Sequence, residues 1–92
     1  MNNDEEDCFV LYALGPQCVY ALMLKEVLSI IDTIILAHRG YTSEIVIWHD
    51  IVTEALVDWD ADNIDWNHVR RIYRSRGWNV THVTRQSFML ES

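Results

Sequence analysis

The stretch NIDWNHVRRIYRSRGWNVTHV, residues 63–83, holds a cap, a helix, a stop and a strand in that order. Asn63 or Asp65 can satisfy the free N–H groups that open a helix, and Asp65 also suits the positive end of the helix dipole. Trp66, Val69, Ile72 and Tyr73 recur at helical spacing and make one apolar stripe. Arg70, Arg71, Arg74 and Arg76 fill the opposite side and the last turn, where cations favour the dipole. Gly77 suits the C′ position that follows a helix. Beyond it, Trp78 to Val83 is rich in aromatic and β-branched residues and alternates like a strand. The stretch thus predicts a helix over 64–76 and a strand over 78–83.

Upstream, Thr42 or Ser43 can cap a helix over 43–59, with Ile45, Trp48, Val52, Ala55, Leu56 and Trp59 on one face. A second reading divides this segment. Ile45-Val46-Ile47-Trp48 is β-rich, so Glu44–Trp48 can be a strand with a helix only from Asp50. Further upstream, Pro16 to Arg39 reads as one long helix, with proline in its first turn, His38 and Arg39 in its last, and Gly40 as its stop. Lys25, Ser29, Asp32 and Thr33 form a narrow polar stripe, and the remaining apolar arc is wider than one core face needs. Cys8 to Leu14 is a short apolar run that suits a buried strand over 9–13. Downstream, Thr84-Arg85-Gln86 makes a tight turn, and 87–90 returns as the hairpin partner of 78–83. The expected fold is α+β: three helices (16–39, 43–59, 64–76) and a small antiparallel sheet that includes a C-terminal hairpin (78–83, 87–90).

The chain has 92 residues and is 50% hydrophobic, enough for one domain with a single core. Residues 1–7 carry four acids and read as a disordered acidic tail, leaving 8–92 as one compact domain. Four tryptophans and the wide arc of the long helix predict a homodimer. Cys8 and Cys18 are too few for a disulfide framework and read as two small buried thiols. The acidic start does not resemble a secretory leader. Lys25, Glu26 and Asp32 interrupt the apolar run of 19–37, which argues against a membrane span. A cytoplasmic protein is expected.

Charge is sorted along the chain more sharply than the net value of −7 conveys. Residues 44–65 hold seven acids (Glu44, Asp50, Glu54, Asp58, Asp60, Asp62, Asp65) and no lysine or arginine. Residues 66–92 hold five arginines against one acid, Glu91. On a helix over 43–59, Asp50, Glu54 and Asp58 would stack at i, i+4 and i+8. Like charges at that spacing cost roughly 0.2–0.5 kcal/mol per pair, so helix stability does not explain the ladder. It is either a solvated face that keeps the chain soluble or a face for a basic partner, its carboxylates spaced somewhat like a row of phosphates.

No motif points to chemistry. Asp58-Trp59-Asp60-Ala61-Asp62-Asn63 copies the opening of a calcium loop, but the twelfth position, which should supply a bidentate glutamate, is Val69. A capping loop is the plainer reading. Arg76 and His82 fit an R-x-x-x-x-x-H spacing of some ribonucleases, yet Gly77 separates them. His38, His49, His68 and His82 show no metal-ligand spacing, and there is no nucleophile elbow or phosphate-binding glycine loop. Neither catalytic residues nor a cofactor nor a metal is expected.

In size and charge the chain resembles the small acidic inhibitors of phages and mobile elements, among them DNA mimics and anti-restriction or anti-CRISPR proteins. That resemblance implies a non-enzymatic protein that blocks a basic or nucleic-acid-binding partner, with Glu44, Asp50, Glu54, Asp58, Asp60, Asp62 and Asp65 as its face. The alternative starts from the divided reading of 43–59. With a strand at 44–48, the order becomes helix, strand, helix, helix, strand, strand over residues 16–91, which resembles a winged helix-turn-helix domain. That resemblance implies a DNA-binding regulator reading through Asn67, Arg70, Arg71 and Arg74, beside His68, with Thr84-Arg85-Gln86 as its short wing.

Overall fold

The computed structural model describes residues 16–38, 43–57 and 59–92. In chain order the elements are α1 (Pro16–His38), β1 (Glu44–Trp48), α2 (His49–Ala55), a 3-10 turn (Ala61–Asn63), α3 (Trp66–Ser75), β2 (Asn79–Thr81) and β3 (Ser87–Glu91). The sheet is antiparallel in the order β1-β3-β2. The fold is therefore α+β: among the described residues, three helices surround a three-stranded sheet that ends in a C-terminal hairpin. The expected tail at 1–7 and strand at 9–13 lie outside the described residues, as do Arg39, Gly40 and Thr42.

The segment 43–59 is divided, and the single helix expected there is corrected. Glu44–Trp48 alternates between solvent and core, with Ile45 and Ile47 buried and Glu44, Val46 and Trp48 facing out. The cause lies far along the chain. Ile45 pairs with Leu90 and Ile47 with Phe88 on β3, and Val80 of β2 meets the same Leu90. All four core-facing residues of β1 and β3 are fully or nearly fully buried, each worth roughly 1.5–3 kcal/mol as apolar burial. A helix would have set Ile45 and Trp48 on one face; instead Trp48 is 48% exposed. The strand runs into α2 without a connecting residue, since Trp48 ends one and His49 begins the other. No side chain caps α2 at Trp48.

The stretch that follows forms largely as expected. Asp65 caps α3, its Oδ1 accepting from the His68 N–H at 3.1 Å. At the other end, the Gly77 N–H donates to the Arg74 carbonyl and the Trp78 N–H to the Tyr73 carbonyl, each at 3.1 Å. These are the paired bonds of a Schellman ending, with Gly77 at φ +99°. The strand is shorter than 78–83: it stops at Thr81, because His82 takes a left-handed φ of +49° that a strand cannot continue. The hairpin then closes on Thr84, whose Oγ1 accepts from the backbone N–H groups of Gln86 and Ser87.

Met23, Val27 and Ile31 of α1 enter a core shared with Val52, Leu56, Ile64, Val69, Tyr73, Phe88 and Leu90. Tyr20, Leu24, Leu28, Ile30, Ile34 and Ile35 pack around it, so one chain already covers much of the wide arc of α1. Two polar links tie α1 to α3. The Tyr73 hydroxyl donates to Asp32 Oδ1 at 2.7 Å, and Arg76 pairs with the same oxygen at 3.0 Å. One turn of α3 earlier, the Tyr20 hydroxyl and His68 Nδ1 lie 3.1 Å apart. Cys18 is disulfide-bonded, which corrects the reading of two thiols; the other cysteine, Cys8, lies outside the described residues. No helix among the described residues is long and apolar enough to cross a membrane.

Candidate functional site

The exposed side of α3 follows from its buried side. Val69 and Tyr73 are fully buried, so positions 67, 71 and 74, at i, i+4 and i+7, face away from the core. Asn67, Arg71 and Arg74 are accordingly exposed. Together with Asp65, Arg70 and Val83 they line one open depression of about 550 Å³. Val83 belongs to the β2–β3 connection and is itself half exposed. The helix and the hairpin turn therefore share one surface, with Arg85 exposed further along the turn. Among the described residues, no ion pair joins Arg71, Arg74 or Arg85 to an acid of 44–65.

Two of the residues expected on that surface are less exposed than their neighbours: Arg70 only borders the depression and His68 is turned away from it. Arg70 is only 9% exposed. Position 70 flanks the apolar stripe, and its guanidinium carbon lies 5.9 Å from the Phe88 ring centroid. Arg70 Nη2 donates to Asn67 Oδ1. Burial, with the nearby charge of Arg74, lowers the pKa of this guanidinium, and Asp65 opposes them. His68 turns towards α1 and stacks on Tyr20 with ring centroids 5.9 Å apart.

The acidic residues are not gathered into one row. Asp50 and Glu54 are exposed one turn apart on α2, but α2 ends at Ala55, so it supplies no third rung. Asp58 lies outside the described residues. Asp60 caps the 3-10 turn, taking the Asp62 N–H at 3.1 Å and the Asn63 side-chain amide at 3.3 Å. Asp62 is exposed beside it, and Asp65 is spent on the cap of α3. Glu44 lies at the start of β1, opposite Glu91 of β3. Among the described residues of the stretch that resembles a calcium loop, Asp60 and Asp65 each serve as a local cap. Arg76 and His82 do not converge either: Arg76 is held by Asp32, and His82 lies 4.0 Å from Glu91.

Beneath the α3 surface lies an aromatic cluster that periodicity did not reveal. The His49 ring stacks on Trp66 with centroids 4.0 Å apart and planes 6° from parallel, and Phe88 meets both rings at a tilt. His49 is 8% exposed, and its Nε2 has no hydrogen-bond partner among the described residues. Burial pushes its pKa below the ordinary histidine value, and Arg70 adds to that effect; the Arg85 backbone and Asp50 act in the opposite direction. The His49 N–H donates to the Gln86 carbonyl at 2.8 Å, tying the start of α2 to the hairpin turn. The only sequence signal for this cluster was a histidine directly after a β-rich run. No family model matches the chain, and no curated protein or solved structure shows significant similarity to it.

Proposed function

We propose that this protein binds duplex DNA through α3 and the β2–β3 turn, as a winged helix-turn-helix regulator does. The observation that carries the reading is the surface shared by Asn67, Arg71, Arg74 and Val83, whose arginines are unpaired among the described residues. The order of elements supports it, since the strand at 44–48 completes the helix, strand, helix, helix, strand, strand pattern. The chain departs from that pattern between α2 and α3, where residues 56–65 replace the usual turn of about 3–4 residues. Titration of a labelled duplex at low salt tests the proposal. Binding is expected, and R71Q and R74Q should each flatten the slope of log affinity against log salt by about one unit. No affinity for duplex DNA at low salt overturns it.

A second reading, binding and inhibition of a basic or nucleic-acid-binding protein through the acidic stretch, is favoured by one observation. Asp50 and Glu54 stand exposed on α2 with no ion pair among the described residues. The two readings differ in sign. If the acids are the interface, D50N/E54Q loses the partner and R71Q/R74Q keeps it. If α3 is the interface, the same acid variant binds DNA more tightly, because repulsion from phosphate falls.

A further inference from the structure

Arg70 does not behave as a surface arginine. Its guanidinium is buried over Phe88, it donates to Asn67 Oδ1, and no carboxylate pairs with it among the described residues. Burying a guanidinium without an acid is costly unless its donors are used, and the donor used here ends on Asn67. An exposed carboxamide otherwise turns freely about its last torsion. A donor on Oδ1 fixes both its plane and which end is oxygen. A carbonyl oxygen has two lone pairs, so with Arg70 on one, Asn67 still presents one acceptor beside its two Nδ2 donors. That pairing of acceptor and donor matches the N6–H and N7 of adenine in the major groove, whereas guanine offers N7 and O6, two acceptors, and would set O6 against Oδ1.

We infer that Asn67, held in place by Arg70, reads an A·T pair in duplex DNA, while Arg71 and Arg74 contact phosphate. The inference rests on the DNA-binding reading above. It gives Arg70 the role of a positioning residue, since its guanidinium lies over Phe88 and donates to Asn67. It also gives the first turn of α3 the base contact, as expected when the N-terminal residues of a recognition helix enter the groove.

The test uses the full chain. Selection from a randomised duplex pool should return sites that share an adenine at one position. Changing that pair to G·C should weaken wild-type binding roughly 5- to 150-fold, the range for one good bidentate contact. N67A should bind both duplexes alike and keep the wild-type salt slope. R70K keeps the charge but loses the fork, so it should lose discrimination while its salt slope also stays unchanged; R71Q should do the reverse. Because Arg70 is buried, R70K is checked for folding by circular dichroism, and exposed Asn67 supplies the independent variant. An N67A protein that retains the wild-type preference overturns the inference, as does wild-type binding with no preference. A wild-type protein that binds no duplex overturns the DNA-binding reading itself, which is a separate result.

Discussion

His49 stacks on Trp66 with one ring nitrogen unpartnered among the described residues, in a buried site that disfavours its protonated form. Its pKa is lower in the folded chain than in the unfolded one, so the unfolded state binds the extra proton first. The stability that neutral His49 contributes is complete above about pH 6.5 and is lost as pH falls through its folded value. Urea unfolding followed from pH 7.5 down to 5 should show that loss. H49F keeps the apolar stack, should stay within about 1.5 kcal/mol of wild type at pH 7, and should flatten this part of the profile. A variant with the wild-type slope would place the acid sensitivity elsewhere. Arg70 shows why this neighbourhood was not legible in the sequence. By spacing, position 70 belongs with Arg71 and Arg74. What draws it inward is Phe88, eighteen positions away and brought beneath it only by the sheet. Asp65 and Gly77 were legible because a cap and a stop depend on neighbours within a turn or two.

At the scale of elements, the ending of α3 sets where the hairpin begins. Gly77 sits at φ +99°, and an added Cβ would meet nothing within 4 Å. G77A should therefore cost only the left-handed backbone penalty, roughly 1–2 kcal/mol, read as a lower urea midpoint with an unchanged slope. A larger loss would mean that β2 shifts with it. The same contrast explains the divided segment at 43–59. Ile45, Trp48, Val52 and Leu56 satisfy a helical period, while Ile45 and Ile47 satisfy a strand period. Both patterns are present, and nothing local decides between them. The decision comes from Phe88 and Leu90, which offer Ile47 and Ile45 a buried partner across the sheet. The long helix was easier to read, because Pro16 through His38 carries a helical pattern over many turns with no competing strand period.

Across the whole molecule, the charge expectations and the apolar expectations fare differently. The sorting of acids and arginines along the chain persists in space as an acidic α2 and a basic outer side of α3. The acidic ladder does not persist, because it required a helix that ends at Ala55. The homodimer rested on apolar surface that α1 now shares largely with its own core. Val19, Leu36, Val46 and Trp48 remain exposed as its support. A dimer should scatter light as twice 10.8 kDa over a dilution series; a mass that stays at 10.8 kDa at high concentration removes it. The bonded Cys18 also pulls against the cytoplasmic expectation, since disulfides are rare in a reducing cytosol.

The seamless passage from β1 into α2 couples two kinds of periodicity. Sliding β1 by one residue against β3 would exchange its inner and outer faces. With no linker to absorb the slip, α2 would also swing by about 100° about its axis, the turn per residue of an α-helix. Val52 would leave the core together with Ile45 and Ile47. Sheet and helix thus act like meshed gears, and a one-residue insertion between Trp48 and His49 should be far less tolerated than the same insertion among residues 56–60. An insertion in the α2–α3 connection instead leaves the register of β1 and the rotation of α2 unchanged.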